Sequence, residues 1–169
     1  MKSKLKAVLF DRDGVLNLDE GYTHKPEDLV WTPGARAAIR RLNEAGLKVV
    51  VVTNQSGVAR GLYDLAAVDL FHDEMRRQLA KDGARIDAFY ACPYHKDAQV
   101  DAWRHDDHPD RKPNPGMLLA ALRDFGLKPD EAIMIGDRGS DMEAARRAGM
   151  PGHLYEGGDL DAFVARVTA

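Results

Sequence analysis

Residues 7–14 read Ala-Val-Leu-Phe-Asp-Arg-Asp-Gly, so that four apolar residues lead directly into two carboxylates and a glycine. A short apolar run of this kind predicts a strand that is buried on both faces. In open α/β sheets, functional sites lie at the carboxyl ends of the strands. Two neighbouring carboxylates repel each other unless a positive charge lies between them, and Mg²⁺ is a hard cation that prefers oxygen ligands. Asp11 and Asp13 therefore predict a metal-dependent phosphate site.

Strand and helix patterns alternate along the rest of the chain. Strands are predicted at residues 6–11, 49–52, 86–90, 132–135 and 153–155. Helices are predicted at residues 33–45, 64–81, 114–126, 140–148 and 159–168, with Thr32, Asp64 and Ser140 as capping residues. Repeated strand–helix units predict an α/β fold, a Rossmann-like three-layer sandwich with a mainly parallel sheet. Residues 91–112, rich in Pro, Asp and His, interrupt the pattern, and we call them the histidine-rich loop.

Composition excludes several classes of protein. The chain has 169 residues, which predicts one domain over residues 1–169. Its net charge of −3 argues against a nucleic-acid partner, and the single cysteine, Cys92, excludes an intramolecular disulfide. No apolar run approaches the ~18 residues that span a membrane, and the N-terminus lacks the features of a signal peptide. We therefore expect a cytoplasmic protein with no membrane partner, and a monomer.

Three further polar groups follow predicted strands or precede a predicted helix. They are Thr53-Asn54-Gln55-Ser56-Gly57, Arg111-Lys112-Pro113 and the segment from Gly136 to Asp141. Each group alone has a plain structural interpretation as a turn, a helix cap or solvated surface. Their recurrence in order at one edge of the predicted sheet favours a shared functional site.

These segments also carry a family resemblance. FDRDG, VVVVTNQSG, RKPNPGM and MIGDRGSD resemble the four motifs of the haloacid dehalogenase superfamily. More narrowly, FDRDGVLN, GYTHKPEDL, TPG, VVTNQSGVARG and RIDAFYACP resemble the D-glycero-D-manno-heptose 1,7-bisphosphate phosphatases, to which the histidinol-phosphate phosphatases are a sister group. The resemblance implies a Mg²⁺-dependent phosphomonoester hydrolase that forms an aspartyl-phosphate intermediate. Residues 14–30, which we call the flap, are too few for a folded cap domain, so we expect an open site.

The resemblance also implies a role for each matching residue. Asp11 would be the nucleophile and Asp13 the general acid and base, while Thr53 and Lys112 would hold phosphoryl oxygens. Mg²⁺ would be bound by Asp11, by the backbone carbonyl of Asp13 and by Asp137, and Asp141 would orient the water shell of the metal or Lys112. The remaining substrate contacts would come from Asp19, Tyr22, Asn54, Gln55 and Arg111.

Heptose 1,7-bisphosphate is the favoured substrate on these motifs. Histidinol phosphate or another small sugar phosphate is the alternative, because the histidine-rich loop adjoins the substrate and departs from the family pattern. A non-catalytic binding module that kept the fold is a third interpretation. The presence of Asp11, Asp13, Lys112 and Asp137 argues against it.

The histidine-rich loop departs from the zinc-binding loop that the resemblance implies. Tyr94 stands where the family has a histidine, and His108-Pro109-Asp110 replaces a Cys-x-Cys pair. A replacement set of structural zinc ligands is Cys92, His95, His105 and His108, because nitrogen and sulfur ligands suit tetrahedral zinc. The favoured interpretation is that packing holds the loop, with Tyr94 and Trp103 as anchors.

Overall fold

The apolar runs of the sequence form a parallel sheet in the computed structural model, which describes residues 4–169. The strands are β1 Ala7–Phe10, β2 Lys48–Asn54, β3 Ala88–Cys92, β4 Ala132–Gly136 and β5 Gly152–Leu154. They lie in the order β3-β2-β1-β4-β5, and every pairing is parallel. All four residues of β1 are fully buried because this strand is central and is covered on both faces. The predicted α/β sandwich is confirmed.

Five helices cover the two faces of the sheet. They are α1 Ala35–Glu44, α2 Leu65–Lys81, α3 Gly116–Asp124, α4 Gly139–Arg147 and α5 Leu160–Val167. Alternate strand residues point to opposite faces, so Val8 and Phe10 pack in the core that contains α1, α2 and α5. Ala7 and Leu9 pack in the other core, with α3 and α4.

Two of the predicted helix caps are wrong, one because of a tertiary contact and the other because of a local one. Helix α1 begins after Gly34, whose φ of 81° is left-handed, and not after Thr32. A Cβ on Gly34 would lie 2.3 Å from Asp159 Oδ1, so only glycine allows α5 to begin this close. Ser140 lies inside α4, whose N-cap is Arg138, and the Arg138 backbone N–H donates to Asp141 Oδ2 at 3.1 Å. The predicted cap Asp64 is confirmed, since its side chain accepts a hydrogen bond from the Ala67 N–H at 2.9 Å.

The third strand begins two residues later than predicted. Asp87 ends the preceding turn, because its side chain accepts from the Val49 N–H at 2.9 Å and its own N–H donates to the Val49 carbonyl at 2.8 Å. Strand β3 also ends two residues later than predicted, at Cys92, and it brings the histidine-rich loop to the same sheet edge as Asp11. No helix among residues 4–169 is long and apolar enough to cross a membrane.

Candidate active site

Asp11 lies directly after β1 and carries the first carboxylate of the site. Its backbone N–H continues the ladder to β4 by donating to the Ile135 carbonyl at 3.0 Å. Its Oδ1 accepts from the Arg12 N–H at 2.9 Å and from Lys112 Nζ at 2.9 Å. Burial raises the pKa of Asp11 to about 7, although Lys112 opposes the shift. The carboxylate therefore needs a further positive charge nearby to remain ionised throughout the neutral pH range.

Lys112 is a buried ammonium group with all of its hydrogen atoms engaged. Its Nζ donates to Asp11 Oδ1 at 2.9 Å, to Asp141 Oδ1 at 2.7 Å and to the Val52 carbonyl at 2.9 Å. An ammonium group offers three donors, so the geometry uses each one. Burial alone would lower the pKa of Lys112, but the attraction of Asp11 and Asp141 raises it above its ordinary value. Lys112 is therefore a fixed cation between two carboxylates.

Three carboxylates converge at this edge of the sheet. Asp11, Asp137 and Asp141 each offer a ligand atom within 4.8 Å of the others, and within residues 4–169 they are the one such group of three or more metal-ligating side chains. Asp137 Oδ1 is buried and has no hydrogen-bond partner in this part of the chain. Gly14, with a φ of 85°, admits Asp137, because a Cβ there would lie 2.2 Å from Asp137 Oδ2. Clustered carboxylate oxygens of this kind fit a hard divalent cation such as Mg²⁺.

The carboxylate of Asp13 lies outside this cluster and is held by a separate set of donors. Oδ1 accepts from Arg12 Nε at 2.9 Å and from Asn17 Nδ2 at 3.0 Å. Oδ2 accepts from Arg12 Nη2 at 3.2 Å and from Gln55 Nε2 at 3.1 Å. Coordination of the metal by the backbone carbonyl of Asp13 stays a prediction.

Arg12 is a site residue that the motifs did not identify. Its side chain is fully buried, and its guanidinium lies 4.3 Å above the centre of the Phe71 ring. It also donates to the Thr23 carbonyl at 2.9 Å and lies 3.2 Å from His72 Nε2. Burial and the Arg12 charge lower the pKa of His72 to about 3, so this imidazole is neutral and accepts from Arg12. Arg12 therefore connects Asp13 to the flap and to α2.

The last two residues of β2, Thr53 and Asn54, brace the site. Thr53 is fully buried, and its Oγ1 accepts from Gln55 Nε2 at 2.8 Å; it does not border the cavity described below. The side chain of Asn54 donates to the Lys112 carbonyl at 3.1 Å and accepts from the Lys112 N–H at 3.0 Å. Asn54 therefore fixes the backbone that carries Lys112.

A cavity of about 340 Å³ opens over these side chains. Among the residues with a predicted role in the site, those that line it are Asp11, Asp13, Asp19, Tyr22, Asn54, Gln55, Arg111, Lys112 and Asp141. Tyr63 and Arg138 also line it; Tyr63 lies outside the motifs, and Arg138 lies within MIGDRGSD but had no predicted role. Arg111 Nη1 is buried without a hydrogen-bond partner among the described residues, so the cavity wall holds an unused donor.

The four candidate zinc ligands do not assemble into a site within residues 4–169. The Nδ1 atoms of His95, His105 and His108 each accept a backbone N–H from the residue two positions later, at 3.0, 3.1 and 3.0 Å respectively. Tyr94 stacks on His108 with ring centres 3.9 Å apart, and it meets Trp103 edge-on at 5.4 Å. Aromatic packing and these local hydrogen bonds hold the loop in the structure.

Comparison with known families and proteins agrees with this geometry. Residues 8–70 match the family described as Haloacid dehalogenase-like hydrolase, and residues 110–164 match the family described as HAD-hydrolase-like. The chain is 45% identical over 162 residues to the D-glycero-beta-D-manno-heptose-1,7-bisphosphate 7-phosphatase of Rhodopseudomonas palustris, covering 95% of this chain and 89% of that relative. It is 34% identical to a D-glycero-alpha-D-manno-heptose-1,7-bisphosphate 7-phosphatase of Photorhabdus laumondii, covering 88% of this chain and 81% of the relative.

A solved structure gives the same result for the fold. The crystal structure of the D,D-heptose 1,7-bisphosphate phosphatase from B. bronchiseptica, complexed with magnesium and phosphate, superposes with a TM-score of 0.81. The two sequences are 36% identical, and the alignment covers 96% of this chain and 87% of that one.

Proposed function

The chain belongs to the haloacid dehalogenase-like phosphatases, within the heptose-1,7-bisphosphate 7-phosphatase family, and from that premise we propose that it removes the 7-phosphate of a heptose 1,7-bisphosphate. The observation that carries the proposal is the strand-edge arrangement of Asp11, Lys112 and the neighbouring carboxylates beneath one cavity. In this proposal the flap is too short to form a folded cap over the site, and the substrate is a small phosphorylated sugar.

Asp11 is the nucleophile in this proposal. Its carboxylate is fixed by Lys112 and by the Arg12 N–H, both of which bind Oδ1. Attack on phosphorus forms an aspartyl phosphate and splits one difficult displacement into two easier steps. Lys112 also places positive charge where the phosphoryl oxygens gain negative charge, and such positioning and electrostatics provide most of phosphoryl-transfer catalysis.

Asp13 is the general acid and base. It protonates the leaving oxygen of the sugar and then removes a proton from the water that cleaves the aspartyl phosphate. Four hydrogen bonds hold its carboxylate beside the cavity. They come from Arg12, Asn17 and Gln55, which fix its orientation before the substrate arrives.

The carboxylates of Asp11, Asp137 and Asp141 fit Mg²⁺, and Asp11 and Asp137 would hold it, with the Asp13 carbonyl as a third ligand. The bound ion would shield the nucleophile from the phosphate and neutralise charge in the transition state. In this chain Asp141 already binds Lys112 and the N–H groups of Asp137 and Arg138. Asp141 therefore orders the neighbours of the metal site and keeps Lys112 in place.

The sugar and its second phosphate occupy the open part of the cavity. Arg111 contributes the buried unpartnered Nη1, and a guanidinium suits bidentate binding of a phosphate. Asp19 and Tyr22 of the flap also line the cavity, and their side chains suit the hydroxyl groups of a sugar.

Steady-state kinetics test this function. We expect Mg²⁺-dependent release of phosphate from heptose 1,7-bisphosphate, with a kcat/KM at least about tenfold above that for histidinol phosphate, a ratio that corresponds to ~1.4 kcal/mol of transition-state binding. Both anomers belong in the assay, because the two relatives described above are named for different anomers. Asp11→Asn is the matched inactive control. Equal activity of Asp11→Asn and the wild type, or a preference for histidinol phosphate, contradicts the proposal.

A further inference from the structure

The amide group of Gln55 joins two residues of the site. Its Nε2 donates to Asp13 Oδ2 at 3.1 Å and to Thr53 Oγ1 at 2.8 Å, and the residue is 2% exposed. Both hydrogens of the amide are used in these contacts. An amide rotated by half a turn would place its oxygen against the Asp13 carboxylate, and two acceptors would then face each other.

The hydroxyl of Tyr63 contacts the other end of this amide. It donates to Gln55 Oε1 at 2.6 Å, and Oε1 faces Tyr63 because Nε2 donates to the Asp13 carboxylate, which can only accept. Burial raises the pKa of Tyr63 to about 12, so the phenol keeps its proton and remains a donor at neutral pH.

The ring of Tyr63 is itself held in place from two sides of the chain. A Cβ on Gly57 would lie 2.2 Å from Tyr63 Cε1, so the ring lies directly against the backbone of the segment that carries Gln55. The ring also stacks on His24 of the flap, with ring centres 4.5 Å apart and an interplanar angle of 15°. Tyr63 therefore has a fixed place at the cavity wall between the flap and Gln55.

We propose that Tyr63 is a positioning residue of the phosphatase reaction, which acts through Gln55 to hold the Asp13 carboxylate toward the leaving oxygen. The inference rests on the proposed function, because it assumes that Asp13 is the general acid. Tyr63 needs no contact with the reacting atoms for this role. Its loss should weaken proton transfer to the leaving group more than it weakens phosphate binding.

Tyr63→Phe tests this role, because it keeps the ring, the contact with Gly57 and the stack on His24. The matched control is Tyr90→Phe, which removes a tyrosine hydroxyl that donates to Asp124 Oδ2 at 2.7 Å, outside the cavity lining. Two substrates are compared by kcat/KM, which reports formation of the aspartyl phosphate. A sugar phosphate has a poor leaving group that needs a proton, whereas p-nitrophenyl phosphate has a good leaving group that does not.

We expect Tyr63→Phe to lower kcat/KM for the sugar phosphate by about tenfold, a fraction of the 10²–10⁴-fold that general acid catalysis contributes. The same variant should change kcat/KM for p-nitrophenyl phosphate by less than about twofold, and Tyr90→Phe should change neither. In a Gln55→Leu background Tyr63→Phe should cause no further decrease in kcat/KM, because Tyr63 acts on Asp13 only through its hydrogen bond to Gln55. Equal losses on both substrates, or a full effect in the Gln55→Leu background, would overturn the inference.

The outcomes separate this inference from the proposed function. One outcome is an active wild type, an inactive Asp11→Asn variant and a Tyr63→Phe variant with wild-type kcat/KM on both substrates. It would contradict the positioning role of Tyr63 and leave the proposed function intact. If Asp11→Asn is as active as the wild type, the proposed function fails and this inference fails with it. Equal unfolding temperatures for Tyr63→Phe and Tyr90→Phe exclude a loss of folded protein as the cause.

Discussion

Protonation of His72 in the unfolded chain should make the protein less stable in mild acid. The imidazole is 3% exposed, stacks on Phe89 with ring centres 4.1 Å apart, and faces Arg12 and Arg76. Burial and these two cations lower its pKa from 6.5 to about 3 in the folded state. Between these pKa values the unfolded chain binds a proton that the folded chain does not, so stability falls as the pH falls.

The size of the effect follows from the two pKa values. Within this interval each pH unit changes the free energy of unfolding by about 1.4 kcal/mol. Lowering the pH from 7 to 5 should therefore decrease the free energy of unfolding by about 2 kcal/mol through His72 alone. This predicted loss depends mainly on the pKa of His72 in the unfolded chain, because pH 5 lies well above its pKa in the folded state. A loss of this size is large beside the ~5–15 kcal/mol that stabilises a typical domain.

Urea denaturation at pH 7 and pH 5 measures this loss in the wild type and in His72→Gln. Glutamine keeps an acceptor for Arg12 but does not titrate, so the variant should lose about 2 kcal/mol less than the wild type over this interval. His105→Gln, in the exposed part of the histidine-rich loop, controls for the removal of a histidine from the chain. Identical losses in the wild type and His72→Gln would show that His72 is not a buried neutral base.

Three further substitutions test the site and the fold. Lys112→Met should lower the free energy of unfolding, measured by urea denaturation, by about 3–5 kcal/mol, because it leaves two buried carboxylates without their cation. A decrease of less than ~1 kcal/mol would contradict the prediction that Lys112 neutralises two buried carboxylates. Gly14→Ala should raise the Mg²⁺ concentration for half-maximal activity by about tenfold or more, because its Cβ would displace Asp137. Gly46→Ala, with a similar φ of 78° and nothing within 4 Å of its Cβ, controls for backbone strain and should leave the Mg²⁺ requirement unchanged. Asp64→Ala should cost about 1 kcal/mol through the lost helix cap without changing kcat/KM, and a change in kcat/KM would contradict a purely structural role.

Much of the fold follows from local patterns in the sequence. Apolar runs such as residues 49–52 predict buried strands, and the order of strands and helices predicts a parallel sheet. The wrong prediction for the start of α1 has a nonlocal cause. Helix α1 begins after Gly34, against which Asp159, from the other end of the chain, lies. The local sequence around Thr32 contains no trace of that contact.

Some residues of the candidate site were likewise predictable from local sequence, and others were not. Asp11, Asp13 and Lys112 were predictable because each lies at a strand end or just before a helix, where polar residues gather over an α/β sheet. Arg12 was not predicted, although it lies between the two aspartates. Its contacts with His72 and Thr23 join segments that are distant in sequence. Tyr63 lies outside every motif, so only the folded structure shows its hydrogen bond to Gln55.

The surroundings of Asp11 and Asp13 differ in a way that fits the two roles proposed for them. The Arg12 N–H and Lys112 Nζ both donate to Oδ1 of the Asp11 carboxylate, so the group is anchored at this oxygen. Each oxygen of Asp13 accepts two hydrogen bonds, so that group is fixed in orientation. A nucleophile must reach phosphorus with one oxygen, whereas a general acid and base must keep its geometry through two proton transfers. The intervening Arg12 supports both arrangements, because its backbone N–H binds Asp11 and its guanidinium binds Asp13. The alternation of groups along residues 11–13 therefore fits the two proposed roles, and the distant residues Lys112 and Gln55 add further hydrogen bonds to the two carboxylates.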